Sequence, residues 1–206
     1  KLTFTSCTFN HNLNSSLFGQ NANTFTSLGN QFDNDIDWNE VQPYTQVGVN
    51  YKSSAFNLNV NLPANFYGIT YKDQLRNNLL ENNKLVFEPS FFASYDFASF
   101  FKWWAFASQS YDFGSFGYLY GGSLLTSPLN ITKRFDENNP LMPENLSRNI
   151  GTRLEYRNPL NNLFFNVRYN YNTTKRNLIE EFSGSGFTSA LSLRIGDNTV
   201  ISRTES

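Results

Sequence analysis

The feature that most constrains this chain is an alternation of apolar and polar residues with a period of two. From Phe56 to Leu62 the alternation is strict. Phe56, Leu58, Val60 and Leu62 fall on one face of an extended backbone, and Asn57, Asn59 and Asn61 fall on the other. The pattern returns from Asn162 to Asn172. There Leu163, Phe165, Val167, Tyr169 and Tyr171 oppose Asn162, Phe164, Asn166, Arg168, Asn170 and Asn172. Successive side chains of a pleated strand point to opposite sides, so this is a strand signal. Weaker cases recur at Val47, Val49 and Tyr51, at Leu85, Phe87, Phe91 and Tyr95, and at Ile150, Leu154 and Tyr156. Phe187, Leu191, Leu193 and Ile195 form another, and residues 2–9 read as one more strand. Residues 99–109 are strand-like but apolar on both sides at their start, so alternation assigns them no outward face.

Composition narrows the classes. Aromatics make up 17% of the chain, more than a disordered segment carries. The abundant Asn, Thr, Ser, Tyr and Phe are mediocre helix formers, which argues against a helical bundle. A net charge of -1 gives no electrostatic footprint for nucleic acid. The single cysteine, Cys7, cannot form an internal disulfide, and no Cys/His cluster has zinc spacing. His11 is the only histidine, so a Ser-His-Asp triad would have to be built beside the chain start. Glu180-Glu181 have no nucleophile or base set beside them by spacing. The expectation is a protein that is not an enzyme and carries no cofactor. The Asn-x-Ser/Thr matches at Asn14, Asn130, Asn145 and Asn172 are what chance gives in so Asn-rich a chain.

No run approaches the roughly 20 apolar residues of a membrane helix. Mean hydropathy is -0.46, but a membrane β-barrel averages a lipid face with a wet face and so scores low. The apolar face repeatedly ends in tyrosine, at Tyr51, Tyr95, Tyr156, Tyr169 and Tyr171, as aromatic girdles at a membrane interface do. A soluble sandwich with tyrosines at its strand ends is the competing reading. The connections favour the barrel. Short ones at 52–54, 96–98, 158–161 and 196–198 alternate with long polar ones near 13–40, 70–84, 110–145 and 173–185. Barrels pair short periplasmic turns with long outer loops, whereas long structureless loops are uncommon in compact soluble domains. The spacing predicts strands over 1–12, 42–51, 55–67, 85–95, 99–109, 146–157, 162–172 and 186–195, with a last one starting near Val200. Pro63 and Pro89 fall inside these runs, where the ladder must bulge, end or lose an amide. The fold expected is all-β: an antiparallel up-and-down transmembrane β-barrel, here about eight strands of it.

One stretch carries a family resemblance. Asn138-Asn139-Pro140-Leu141-Met142-Pro143-Glu144, followed by Ser147, Asn149, Gly151 and the strand Leu154-Glu155-Tyr156-Arg157, resembles the segment that enters a late barrel strand in TonB-dependent outer-membrane receptors. The hairpin from Arg157-Asn158-Pro159 through Tyr169-Asn170-Tyr171 to Asn177-Leu178-Ile179 is similar to that family's next one. Asn139 stands where the pattern usually has its first proline, and no Arg-Pro pair follows 99–109. Barrels of the family have roughly 22 strands around a plug. The resemblance therefore implies that residues 1–206 are a partial outer-membrane barrel domain, without the plug or a signal peptide. It implies a Gram-negative outer membrane and import of a large solute such as an iron chelate, oligosaccharide or peptide. Energy would come through a TonB-type transducing protein, and outer-membrane lipid, the plug and a surface lipoprotein are the implied partners. Two alternatives stay open: a barrel serving as scaffold or adhesin, and a soluble secreted β-sandwich binding carbohydrate.

Candidate ligand contacts are aromatics expected in external loops. Trp38 is one. Phe116, Tyr118 and Tyr120 are the others, within the Gly-rich stretch Tyr111–Gly122, where ring faces suit sugars or planar ligands. Asp33, Asp35 and Asp37 open like a calcium loop, but Trp38 and Tyr44 stand where an EF-hand needs Gly and Glu, so a solvated acidic loop is favoured. Arg153, Glu155, Arg157, Arg168 and Arg194 are expected to face the lumen.

Overall fold

The structure is a computed structural model that describes residues 2–16, 18–21, 24–27, 29, 32–114, 124–127, 130–132, 142–185 and 188–205. The described chain is all-β. In order it runs β1 (Leu2–Ser15), β2 (Phe18–Asn21), β3 (Thr24–Ser27), β4 (Asn34–Lys52), β5 (Phe56–Asp73), β6 (Asn78–Phe87) and β7 (Ser90–Ala98). Then follow β8 (Phe101–Asp112), β9 (Leu124–Ser127), β10 (Asn130–Thr132), β11 (Asn145–Asn158), β12 (Leu163–Ser185) and β13 (Thr188–Glu205). One sheet takes the order β1-β4-β5-β7-β8-β11-β12-β13-β10-β9, with β6 also on β5, and β2 and β3 form a separate hairpin. All pairs are antiparallel except β10 with β13. Among the described residues no pairing joins β1 to β9, so the sheet is open.

Asparagine sets two of the tight reversals. Asn77 and Asn162 both have a φ of 53°, a left-handed conformation that Asn tolerates. The β5–β6 turn is fixed by Asp73, whose carboxylate accepts the amides of Leu75 and Arg76, each at 3.1 Å. In the β11–β12 turn Asn158 Oδ1 accepts the Leu160 amide at 3.0 Å.

Two prolines shape the middle of the sheet. The Glu88 amide donates to the Pro63 carbonyl at 3.2 Å, and the Gln109 amide donates to the Pro89 carbonyl at 3.0 Å. Neither proline can return the bond, because neither has an N–H. At this point the sheet forks. β7 pairs with both β5 and β8, whereas β6 pairs with β5 and not with β8. Thus Pro89 ends the 85–95 run early, dividing it into β6 and β7, while β5 passes Pro63 unbroken.

Several expected loops are strands. β4 begins at Asn34, inside the expected 13–40 loop, which also contains β2 and β3. Residues 70–84 extend β5 and β6 around a four-residue turn, and 173–185 extend β12. β12 has 23 residues, about 75 Å at ~3.3 Å each, far more than a bilayer core needs. In the β4 and β5 extensions the apolar residues change sides, and the backbone ladder runs on regardless. The 196–198 turn is also corrected: Gly196, Asp197 and Asn198 lie inside β13. A Cβ at Gly196 would come within 2.6 Å of Ile179 Cδ1, so glycine there serves close packing. Residues 186–195 and the start near Val200 are therefore one strand. Trp38, expected in a loop, lies in β4 and is 3% exposed.

Candidate functional site

The register across the sheet turns local alternation into two faces. One row of paired residues reads Val49, Val60, Phe91, Ala107, Ile150, Tyr171 across β4, β5, β7, β8, β11 and β12. The next reads Tyr51, Leu58, Ala93, Ala105, Thr152, Tyr169, and the next Phe56, Tyr95, Trp103, Leu154, Val167. Val47, Val49, Leu62, Ile150, Leu163, Phe165 and Val167 are all exposed. This is a contiguous apolar surface, of a kind that soluble monomers rarely present. Rings line its margin at the short-turn end. Tyr51, Phe56, Tyr95, Phe97, Phe101 and Tyr156 follow one another with centroid separations of 6.2, 6.3, 6.0, 5.2 and 4.7 Å. Within this face Trp103 Nε1 donates to Thr152 Oγ1 at 2.8 Å, and that hydroxyl donates to the Trp104 carbonyl at 3.0 Å.

The same register assigns faces to 99–109, which alternation left open. Phe101, Trp103, Ala105 and Ala107 join the apolar side, and Lys102, Trp104, Phe106 and Ser108 join the opposite one. Rows on that opposite face read Gly48, Asn61, Ser90, Ser108, Asn149, Asn172 and Asn50, Asn59, Phe92, Phe106, Gly151, Asn170. Side chains there bond along the sheet. Gln46 Nε2 donates to Asn61 Oδ1 at 2.9 Å, and Asn61 Nδ2 donates to Asn59 Oδ1 at 2.8 Å. Arg153 pairs with Glu155 at 2.7 Å and donates from Nε to Asn166 Oδ1 at 3.0 Å. Lys102 pairs with Asp96 at 3.3 Å. A cavity of about 410 Å³ opens at this end, lined by Asp96, Ser99, Phe100, Lys102, Glu155 and Arg157. Arg153, Glu155, Arg157 and Arg168 thus share the polar face, while Arg194 is described only as part of β13.

At the other end of the polar face, the fork is bridged by a packed cluster. Ile36, Trp38, Ile69, Tyr71, Val86, Phe113 and Met142 are its buried members. The Tyr67 and Phe113 rings lie 4.7 Å apart, and Phe113 stacks on Tyr111 at 6.2 Å. Lys84 sits 5.5 Å over the Tyr111 ring and pairs with Glu144. Glu88 accepts the Tyr111 amide at 2.6 Å and the Asn65 side-chain amide. Burial pushes the Tyr71 hydroxyl pKa up, and the adjacent Asp73 carboxylate pushes it the same way.

Two stretches that carry the family resemblance meet here. β12 shifts register between Arg176 and Leu178, which frees Asn177 from the β13 ladder. A bulge of this kind re-aims a side chain. Asn177 Nδ2 donates to the Met142 carbonyl at 2.9 Å, and Asn177 Oδ1 accepts the Glu144 amide at 2.7 Å. The segment entering β11 is therefore held by Asn177, the β12 residue that faces the bulge Gly196-Asp197 in β13.

The candidate ligand residues divide. Trp38 is a core member, its indole N–H donating to Glu40 at 3.3 Å. Phe116, Tyr118 and Tyr120 lie outside the described residues, although Tyr111 and Phe113 of the same stretch enter the cluster. Asp35 and Asp37 belong to β4, Asp37 accepting from Gln74 Nε2 at 2.7 Å, and no metal-binding group is found among the described residues. Sequence reasoning missed the Lys84–Glu144 pair, because its partners are sixty positions apart and neither has a local signature. Asn177 was within reach, since the resemblance singled it out. No family model matches the chain, and no curated protein or solved structure is significantly similar to it.

Proposed function

We propose that the chain is a wall segment of an outer-membrane transport barrel of the TonB-dependent receptor type, importing a large solute. The observation that carries this reading is the two-sided sheet: a continuous apolar face edged by a ribbon of aromatic rings, backed by a face of amides and ion pairs. Lipid is the covering that suits the first face, and a water-filled lumen suits the second. Strand ladders satisfy the backbone groups that lipid cannot. Contact between Met142–Glu144 and Asn177 gives the resembling segments a shared physical role. Capture falls to the outer connections, where Phe116, Tyr118 and Tyr120 stand, and transport energy to a plug and a TonB-type partner.

The test is partitioning and transport. The native protein is expected in the outer-membrane fraction, resistant to salt and alkaline washing and extracted only by detergent. Cells lacking it are expected to lose uptake of one large solute. A monodisperse protein in detergent-free buffer would overturn the membrane reading, and normal uptake of every candidate solute would overturn the transport reading.

A further inference from the structure

We propose that the apolar face holds a seat for an anionic, phosphate-bearing acyl lipid, with Arg148, Lys175 and Arg203 facing the phosphate and a groove beside Arg148 taking an acyl chain. The inference rests on the membrane reading above.

The groove follows from the fork. Where β6 leaves β8, the apolar face opens into a depression of about 290 Å³ lined by Val60, Leu62, Phe91, Ala107 and Ile150, with Arg148 at its rim. That volume is near the lower end of small-molecule sites, roughly 300 Å³. Arg148 is oriented at that rim: its Nε donates to Gln109 Oε1 at 2.8 Å, and Gln109 Nε2 donates to the Phe87 carbonyl at 3.0 Å. No ion pair of Arg148 is found among the described residues.

The register gathers further cations beside it. Arg148 stands opposite Thr173 on β12, and Lys175 is two residues further along on the same side. Tyr171, two residues the other way, stands opposite Arg203, whose guanidinium lies 5.5 Å over the Tyr171 ring. Arg148, Lys175 and Arg203 are all exposed. The acidic residues of β13 on this side are Glu205, two positions past Arg203 toward the short-turn end, and exposed Asp197, two positions past Thr199, which stands opposite Lys175. Cations on a lipid-facing surface are tolerated at its margin and costly at its centre. Arg148 and Lys175 sit beyond the row Val49 to Tyr171, on the side away from the aromatic ribbon, and Arg203 closes that row at its β13 end. Positive charge at the margin and an apolar groove next to it complement a phosphate headgroup and its chain; free phosphate would have no use for the groove.

The experiment uses the native protein, purified in neutral detergent and delipidated, with native mass spectrometry as the readout. Phosphatidylglycerol and lipid A are expected to remain bound at concentrations where phosphatidylcholine binds at least about tenfold more weakly. Inorganic phosphate alone is expected not to bind. Arg148→Gln, Lys175→Gln and Arg203→Gln are each expected to lower anionic-lipid retention on the order of fivefold, near the contribution of one interfacial cation, with the heat-induced gel shift of the folded protein unchanged. Equal retention of phosphatidylcholine and anionic lipid by a folded, detergent-dependent protein overturns the seat and leaves the membrane reading intact. Phosphate bound as tightly as lipid overturns the acyl part and with it the proposal. A protein that needs no detergent overturns both.

Discussion

Single residues hold this sheet at points where no other residue type fits. Gly151 is the clearest. A Cβ built there would lie 2.4 Å from Phe106 Cζ and 2.5 Å from Asn170 Oδ1. The ring and the amide from the flanking strands close over the bare backbone, as aromatics do over glycine in sheets. Gly151→Ala is expected to destabilise by about 1–3 kcal/mol, the usual cost of overpacking. Phe106→Leu in the same chain should recover part of that loss in urea titrations of the refolded protein. Asp73 is a second such residue. It is fully buried and serves the Leu75 amide, the Arg76 amide and the Arg76 guanidinium. Asp73→Ala removes a buried carboxylate from the part-buried Arg76 guanidinium and two turn amides, expected to cost about 3 kcal/mol, and faster proteolysis at 74–77 would register it. Neither role could be read from the sequence. Gly151 is a glycine in a strand until its neighbours across the ladder are known, and Asp73 was expected in a loop.

At the scale of elements, alternation located the strands where apolar residues keep to one face and failed where they change sides. The 56–62 and 162–172 runs lie within β5 and at the start of β12 as expected, and the apolar and polar residues divide as expected. The extensions of β4 and β5 past the apolar rows read as loops in the sequence because the alternation changes sides there: Ile36, Trp38, Ile69 and Tyr71 are buried on the polar side of the sheet, out of phase with Val47, Val49, Leu58 and Val60. Their ladders are held by backbone bonds that composition does not reveal. The Gly196-Asp197-Asn198 turn signal misled for a related reason: glycine was needed for contact with Ile179, and only the pairing distinguishes the two uses. Face assignment makes a direct test in β4. Val49→Arg is expected to cost about 2–4 kcal/mol if it meets the midplane of a bilayer, whereas Asn50→Arg, on the other side, is expected to cost little. Equal effects in folding titrations into lipid vesicles would refute the assignment. Asn177→Ala removes the two side-chain bonds to Met142 and Glu144, expected at about 1–3 kcal/mol. Earlier protease cleavage near 142 would report it, while the β11–β12 ladder below stays protected.

For the whole molecule, wall and capture are expected to separate genetically. Replacing Phe116, Tyr118 and Tyr120 together by alanine is expected to weaken solute capture at least about tenfold, as loss of stacked rings does, without changing the amount of folded protein in the membrane. An unchanged KM for uptake would move recognition elsewhere. Trp38 was expected among these contacts, and its burial makes it a support for the cluster instead. The fork at Pro63 and Pro89 has one more consequence for the molecule. Below it, each strand's partners fix its alignment on both sides. Above it, β5 stays laddered to β4 as far as Asp73, and among the described residues β6 has β5 alone for a partner. A slip of β6 therefore reaches β5 but not β8. The two missing amides act as an insulator of alignment, letting β6 vary along its open edge while β7 and β8 stay in step.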